Sequence, residues 1–233
     1  MFPRTGPKCL CTVGGRSLLQ IILETLRAVG VGHLVLVVGF RAGEVEAHAK
    51  AHAGSMPLTI YQNPRYREGA ILSLWTARES FDDDLLIMDA DVLCPQAGFE
   101  RLIRSPHRNC LLVDGEAADT GEEQIVLGKD ERVLHIAKRP SPELRSSMSP
   151  FGESVGFLKL SQEAARILRG LLEAKVQAGI VGIEHEQVYP ELFERVQVGF
   201  EKINHLPWIE IDTPEDLERA EKEIYPQWAP RKA

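Results

Sequence analysis

The sequence contains no Cys-x-x-Cys pair. Its four cysteines, Cys9, Cys11, Cys94 and Cys110, stand among seven scattered histidines, a spacing that supports neither a zinc site nor a disulfide framework. Reduced thiols, buried or half-buried, are the expectation. No apolar run approaches the roughly 20 residues that a bilayer-spanning helix needs. Met1-Phe2-Pro3-Arg4 lacks the apolar core of a signal peptide, so a cytoplasmic protein is expected. Positive charge is also in deficit. A net charge of −7 argues against a general nucleic-acid or anionic-membrane surface. Internal repeats and an interdomain linker are absent as well.

What remains is an ordinary soluble composition, 44% apolar and 26% charged over 233 residues, long enough to bury one substantial core. Leu18, Leu19, Ile22, Leu23 and Leu26 form one helical face, closed by Gly30. Leu34 to Val38 and Leu85 to Met88 are continuous apolar runs, read as strands buried on both faces. Between and after them, helices are expected over Ala42–Ala53, Ile71–Glu79 and Phe99–Arg104, with strands at Leu58–Gln62 and Cys110–Val113. This alternation argues for βαβ units. Further on, Gln124–Leu127, Val133–Ala137 and Ser154–Leu160 read as strands without intervening helices, and Lys138 to Gly152 as a proline-bearing loop. Helices are then expected at Gln162–Ala178 and His185–Val196, and a strand near Phe200–Ile203. Thr213, Pro214 and Asp216 start a last helix reaching about Tyr225. The expected organisation is one domain over residues 1–225 and a tail over 226–233.

Two carboxylate pairs carry the chemistry. Asp89 and Asp91 follow the run Leu85-Leu86-Ile87-Met88, and Glu210 and Asp212 end the stretch Leu206 to Ile211. Open α/β sheets bind ligands outside the carboxyl ends of their strands. Clustered carboxylates suit a hard divalent cation, and Mg²⁺ leaves coordination positions for substrate phosphates. Phosphate-transfer chemistry is the first expectation.

Several segments, in order, resemble the nucleotidyltransferase superfamily: Pro7-Lys8-Cys9-Leu10, Val13-Gly14-Gly15-Arg16-Ser17-Leu18-Leu19, Val37-Val38-Gly39-Phe40 and Asn63-Pro64-Arg65-Tyr66. Gly69-Ala70-Ile71-Leu72-Ser73-Leu74-Trp75, Asp89-Ala90-Asp91, Glu153-Ser154-Val155-Gly156 and Leu206 to Pro214 continue the likeness over nearly the whole chain. The closing segment and Ser73-Leu74-Trp75 look most like the phosphocholine cytidylyltransferase branch. The resemblance implies a Rossmann-like, doubly wound, mostly parallel sheet in three α/β/α layers. It implies transfer of CMP from CTP to a phosphorylated alcohol or phosphonate, with Mg²⁺ and release of pyrophosphate.

By position, Lys8 would bind the triphosphate, Asp91 and Asp212 would hold the metal, and Glu210 would be a further ligand. Asn63, Gly69, Ala70 and Asp89 would contact the nucleotide. Lys138, Glu153, Glu186 and Trp208 would contact the acceptor, with Tyr66 a weaker candidate and Trp75 a candidate wall of an aromatic cage. A homodimer is compatible with the resemblance. The family's first strand and its glycine-rich, arginine-bearing loop are not found ahead of Pro7-Lys8, so an N-terminally truncated member, or a start codon lying further upstream, is expected. A sugar-1-phosphate nucleotidyltransferase, a glycosyltransferase and a non-catalytic nucleotide-binding module are the alternatives.

Overall fold

The computed structural model describes residues 6–116 and 123–228. The expected tail, residues 226–233, lies partly outside the described residues. The chain divides into two compact units, one built from residues 1–62, 89–100 and 205–233, the other from 63–88 and 101–204.

In the first unit, the helix Leu18–Ala28 buries Leu18, Leu19, Ile22, Leu23 and Leu26. Ser17 caps it by accepting a hydrogen bond from the Gln20 amide at 3.0 Å. Gly30 ends it at φ 84°, as expected. Leu34–Val38 pairs in parallel with Leu58–Gln62, and the helix Ala42–His52 connects them. Contrary to expectation, only Val38 of the first strand is buried. The strand has one partner among the described residues, which leaves its other edge open. A two-residue antiparallel bridge joins Val92–Leu93 to Ile209–Glu210.

The ends of this unit meet. Thr12–Val13 and Arg16–Ser17 form a hairpin across Gly14 and Gly15, both at positive φ. The Tyr225 ring packs directly on Gly14, and a Cβ there would lie 1.9 Å from ring atom Cε1. The Gly14 amide donates to Glu221 Oε2 at 2.7 Å, and Arg16 donates to the Tyr225 hydroxyl. The expected capping box forms, with Asp216 accepting from Thr213 and Thr213 from Asp216. The α-helix itself ends at Arg219. A π turn over Ala220–Ile224 and a 3₁₀ turn over Tyr225–Trp228 follow.

The second unit is built around the long strand Ser149–Leu160. It pairs antiparallel with Leu85–Met88, Cys110–Asp114 and Gln124–Lys129. Arg132–Lys138 extends the sheet as a hairpin partner of Gln124–Lys129, and Gly199–Lys202 adds a parallel edge to Cys110–Asp114. The Rossmann-like α/β class holds, with a mixed sheet in place of a mostly parallel one. The left-handed Asp130-Glu131 turn dictates the antiparallel Gln124–Lys129/Arg132–Lys138 hairpin. The expected loop from Lys138 to Gly152 instead holds a helix, Pro142–Ser147, capped by Ser141, and the first turns of the long strand. The helix Gln162–Gln177 buries Leu168, Leu171 and Leu172, and Phe157 and Phe193 are fully buried in this unit.

Gly14→Ala should destabilise the protein by about 2–4 kcal/mol, combining a left-handed backbone penalty with a clash against the Tyr225 ring. Gly15→Ala, with no atom near its Cβ position, should lose only about 1–2 kcal/mol. Urea denaturation of both variants tests this. In a Tyr225→Ala background the cost of Gly14→Ala should fall to that of Gly15→Ala.

Candidate active site

Lys8 follows Pro7 in a single 3₁₀ turn, fixed by hydrogen bonds from the Leu10 amide to the Pro7 carbonyl and from the Cys11 amide to the Lys8 carbonyl. Its ammonium donates to Asp91 Oδ2 at 3.1 Å and also to Asp212 Oδ1. Asp91 and Asp212 are distant in sequence. The Val92–Leu93/Ile209–Glu210 bridge brings them together, reinforced by the Ile211 amide donating to the Asp91 carbonyl at 2.9 Å. Carboxylate oxygens of Asp91, Glu210 and Asp212 lie within 4.8 Å of one another. Asp212 is held through its backbone, since its amide donates to Asp216 Oδ2 at 3.2 Å. Asp216 is a link that sequence reasoning read only as a cap.

The electrostatics are those of a crowded anionic pocket. Withdrawal from water lifts the Glu210 carboxyl to about 7, and the charges of Asp212, Asp91 and Asp89 add to it, with Lys8 opposing. By area the residue is exposed; protein crowding around the carboxylate, not full enclosure, raises it. Burial lowers the pKa of Lys8, but its hydrogen bonds and charge interactions with Asp212 and Asp91 outweigh this and hold it above the ordinary lysine value. Cys9 and Cys11, beside it, are pushed up to about 11, chiefly by burial and further by the Asp91 charge. These thiols are protonated and unreactive at neutral pH. All four cysteines are free and at least half-buried, as expected.

The donor set fits a hard divalent cation. It consists of carboxylate oxygens alone, already converging on the positive charge of Lys8.

Asp89 belongs to the same unit and contributes charge at Glu210. Trp208, half-buried, precedes the bridge. The other expected contacts lie in the second unit. Asn63 is 2% exposed; its Oδ1 accepts from the Arg65 amide at 2.9 Å and its Nδ2 donates to Ser73 Oγ at 3.3 Å. These bonds suit a turn role before Pro64, one of the two roles open to it. Gly69, at φ 154°, is required by the Val181 carbonyl, 1.9 Å from where its Cβ would lie, and Ala70 precedes the helix Ile71–Thr76. Lys138 is exposed at a strand end and Glu153 is half-buried opposite Asp114. Glu186 pairs with His185 at 3.0 Å, a neighbour that only its adjacency in sequence could have signalled. Trp75 carries the Arg78 guanidinium 4.0 Å from its ring centre, and Tyr66 carries that of Arg67 at 5.4 Å.

A Rossmann-like α/β chain with a lysine set among three converging carboxylates has the organisation of a nucleotidyltransferase. The model of the MobA-like NTP transferase domain matches residues 3–150, and the chain belongs to that family. A curated relative, the bifunctional IPC transferase and DIPP synthase of Rubrobacter xylanophilus, is 29% identical over 96% of this chain and 48% of its own length. The chain thus spans about half the length of the curated relatives it matches. Among solved structures, the CTP:phosphocholine cytidylyltransferase from Streptococcus pneumoniae superposes with a TM-score of 0.71 at 16% identity, over 93% of this chain and 89% of that one. The inositol-1-phosphate CTP transferase from T. maritima gives 0.71 at 16%, over 95% and 90%. At such identities these likenesses establish the fold. No helix among the described residues is long and apolar enough to cross a membrane.

The raised Glu210 carboxyl has a measurable consequence. Its folded value, about 7, lies above the ordinary 4.5, so the folded state binds this proton more tightly than the unfolded chain. Its contribution to stability is fully present below 4.5 and is lost as pH rises through 7. Denaturation of metal-free protein between these limits should show that decline, and Glu210→Gln should flatten it. Titration with Mg²⁺ at pH 7 should release protons, read calorimetrically in buffers of different protonation enthalpy, and Glu210→Gln should reduce the release.

Proposed function

We propose that the protein is a Mg²⁺-dependent cytidylyltransferase that moves CMP from CTP to a phosphorylated alcohol and releases pyrophosphate. The observation that carries this reading is the convergence of Lys8, Asp91, Glu210 and Asp212. CTP is favoured because the two structural neighbours named above are, by name, CTP-using transferases. A phosphonate acceptor remains within the same chemistry.

In this reading Asp91 and Asp212 hold the metal, with Glu210 beside them. When bound, the ion would neutralise phosphate charge and polarise the α-phosphoryl group. An acceptor phosphate oxygen attacks the α-phosphorus in line; the new P–O bond forms as the bond to the bridging oxygen of pyrophosphate breaks. Lys8, charged throughout, offsets the negative charge that builds on the phosphoryl oxygens. Its present pairing with Asp91 and Asp212 keeps the ammonium at the site before nucleotide arrives. Positioning and charge neutralisation supply most of the acceleration, since the protein forms no covalent bond. Lys138, Glu153 and Glu186, in the second unit, and Trp208, in the first, are the candidates for acceptor contacts. Gly69 and Ala70 are those for the base.

Asp91→Ala should abolish pyrophosphate release while leaving the thermal midpoint close to that of the parent, because it removes a ligand and not core volume. Asp212→Ala should do likewise, and the double variant should lose no more than either alone if both hold one ion. Full Mg²⁺-dependent turnover by Asp91→Ala, or a clear preference for ATP or GTP over CTP, would overturn the proposal.

A further inference from the structure

The second unit contains a cleft of about 430 Å³, a size typical of small-molecule sites. Three backbone segments meet at its floor through one buried side chain. Asn109, 7% exposed, donates from Nδ2 to the Gln197 carbonyl at 3.0 Å and accepts at Oδ1 from the Ser161 amide at 2.9 Å. Its carbonyl accepts from the Gly199 amide at 3.0 Å. Gly199 has no side chain for a specific reason: a Cβ there would lie 2.4 Å from the His107 ring. The glycine lets the imidazole lie flat along the wall of the cleft.

Several arginines have acidic partners: Arg16 pairs with Glu24, Arg65 with Glu68, Arg169 with Glu79. Arg108 and Arg195, which both line the cleft, make no ion pair and donate no side-chain hydrogen bond among the described residues. Glu163 lines it too, but pairs with neither. Two unpaired guanidinium groups and an imidazole thus share one concavity on a molecule of net charge −7. Guanidinium groups match phosphate geometry with paired donors, and Arg108 and Arg195, both exposed, present theirs to solvent at the cleft, where an anion would meet them.

We propose that this cleft is a binding site for a small phosphate-bearing anion, of pyrophosphate or phosphomonoester size, separate from the carboxylate site of the first unit. Arg108 and Arg195 supply the charge, His107 supplies a ring N–H, and Asn109 with Gly199 fix the spacing of the segments that carry them.

The test follows the His107 ring by ¹H–¹³C NMR, assigned with His107→Gln, while inorganic pyrophosphate or inorganic phosphate is added to the full chain at constant ionic strength. A saturable shift of the His107 signal is expected for at least one of the two anions. The apparent Kd should rise about tenfold or more in Arg108→Gln/Arg195→Gln. The same shift should persist in Asp91→Ala, which alters only the other site. Far-ultraviolet circular dichroism of the double variant verifies that it is folded, and single variants, each with a smaller loss, provide the readout if it is not. An unmoved His107 signal, a shift reproduced by chloride, or an undiminished affinity in the double variant would each overturn the proposal.

Discussion

Three carboxylates within 4.8 Å of one another repel, and the first unit is organised around containing that repulsion. At such separations a pair of like charges costs about 1 kcal/mol in water and about 4 kcal/mol at the effective dielectric of a protein surface. Two responses are visible. Lys8 places its ammonium against Asp91 and Asp212, and Glu210 takes up a proton near neutrality. Both are responses that a divalent cation would replace, since it supplies more charge than the lysine and drives the proton off. The same crowding that makes the site costly without a cation would favour binding one.

The scaffold that imposes this crowding is small. A two-residue bridge and one amide-to-carbonyl bond join the Asp91 segment to the Asp212 segment. Asp216 then ties the Asp212 amide to the start of the last helix, and the Trp228 indole donates to the Pro207 carbonyl at 2.8 Å. Tyr225 and Glu221 grip the hairpin that directly follows the Lys8 turn. The final helical segment therefore touches both sequence neighbourhoods of the site, which explains its wide π turn: an ideal helix past Arg219 would present different side chains to the hairpin.

Much of this was legible from local patterns. The face of Leu18–Ala28, its Gly30 stop and the Thr213–Asp216 cap follow from spacing that a helix alone determines. The carboxylates were legible because each pair ends an apolar run. What escaped were contacts that spacing alone does not decide, some of them only a few residues apart. Asn63 carries the same letters whether it reads a base or shapes a turn; its Oδ1 accepts from the Arg65 amide and its Nδ2 donates one hydrogen bond to Ser73. Trp75 was open to core packing or to a cage, and the Arg78 guanidinium, three residues on, stacks over its ring. The first part of the long strand was hidden by Pro150 and by Gly152, whose positive φ accommodates the Asp114 carbonyl in the sheet. No periodicity reports such a register shift.

The order of synthesis gives the bridge one more meaning. The unit that holds the carboxylates collects residues 1–62, 89–100 and 205–233, with the whole of the other unit made in between. At about 5–20 residues per second, Asp91 precedes Asp212 by roughly 6–24 s. Throughout that interval the nascent chain has Lys8 and one acidic strand end, but no second strand to bridge to. A cation site built from both segments would therefore be available only to a chain whose second unit has already been synthesised.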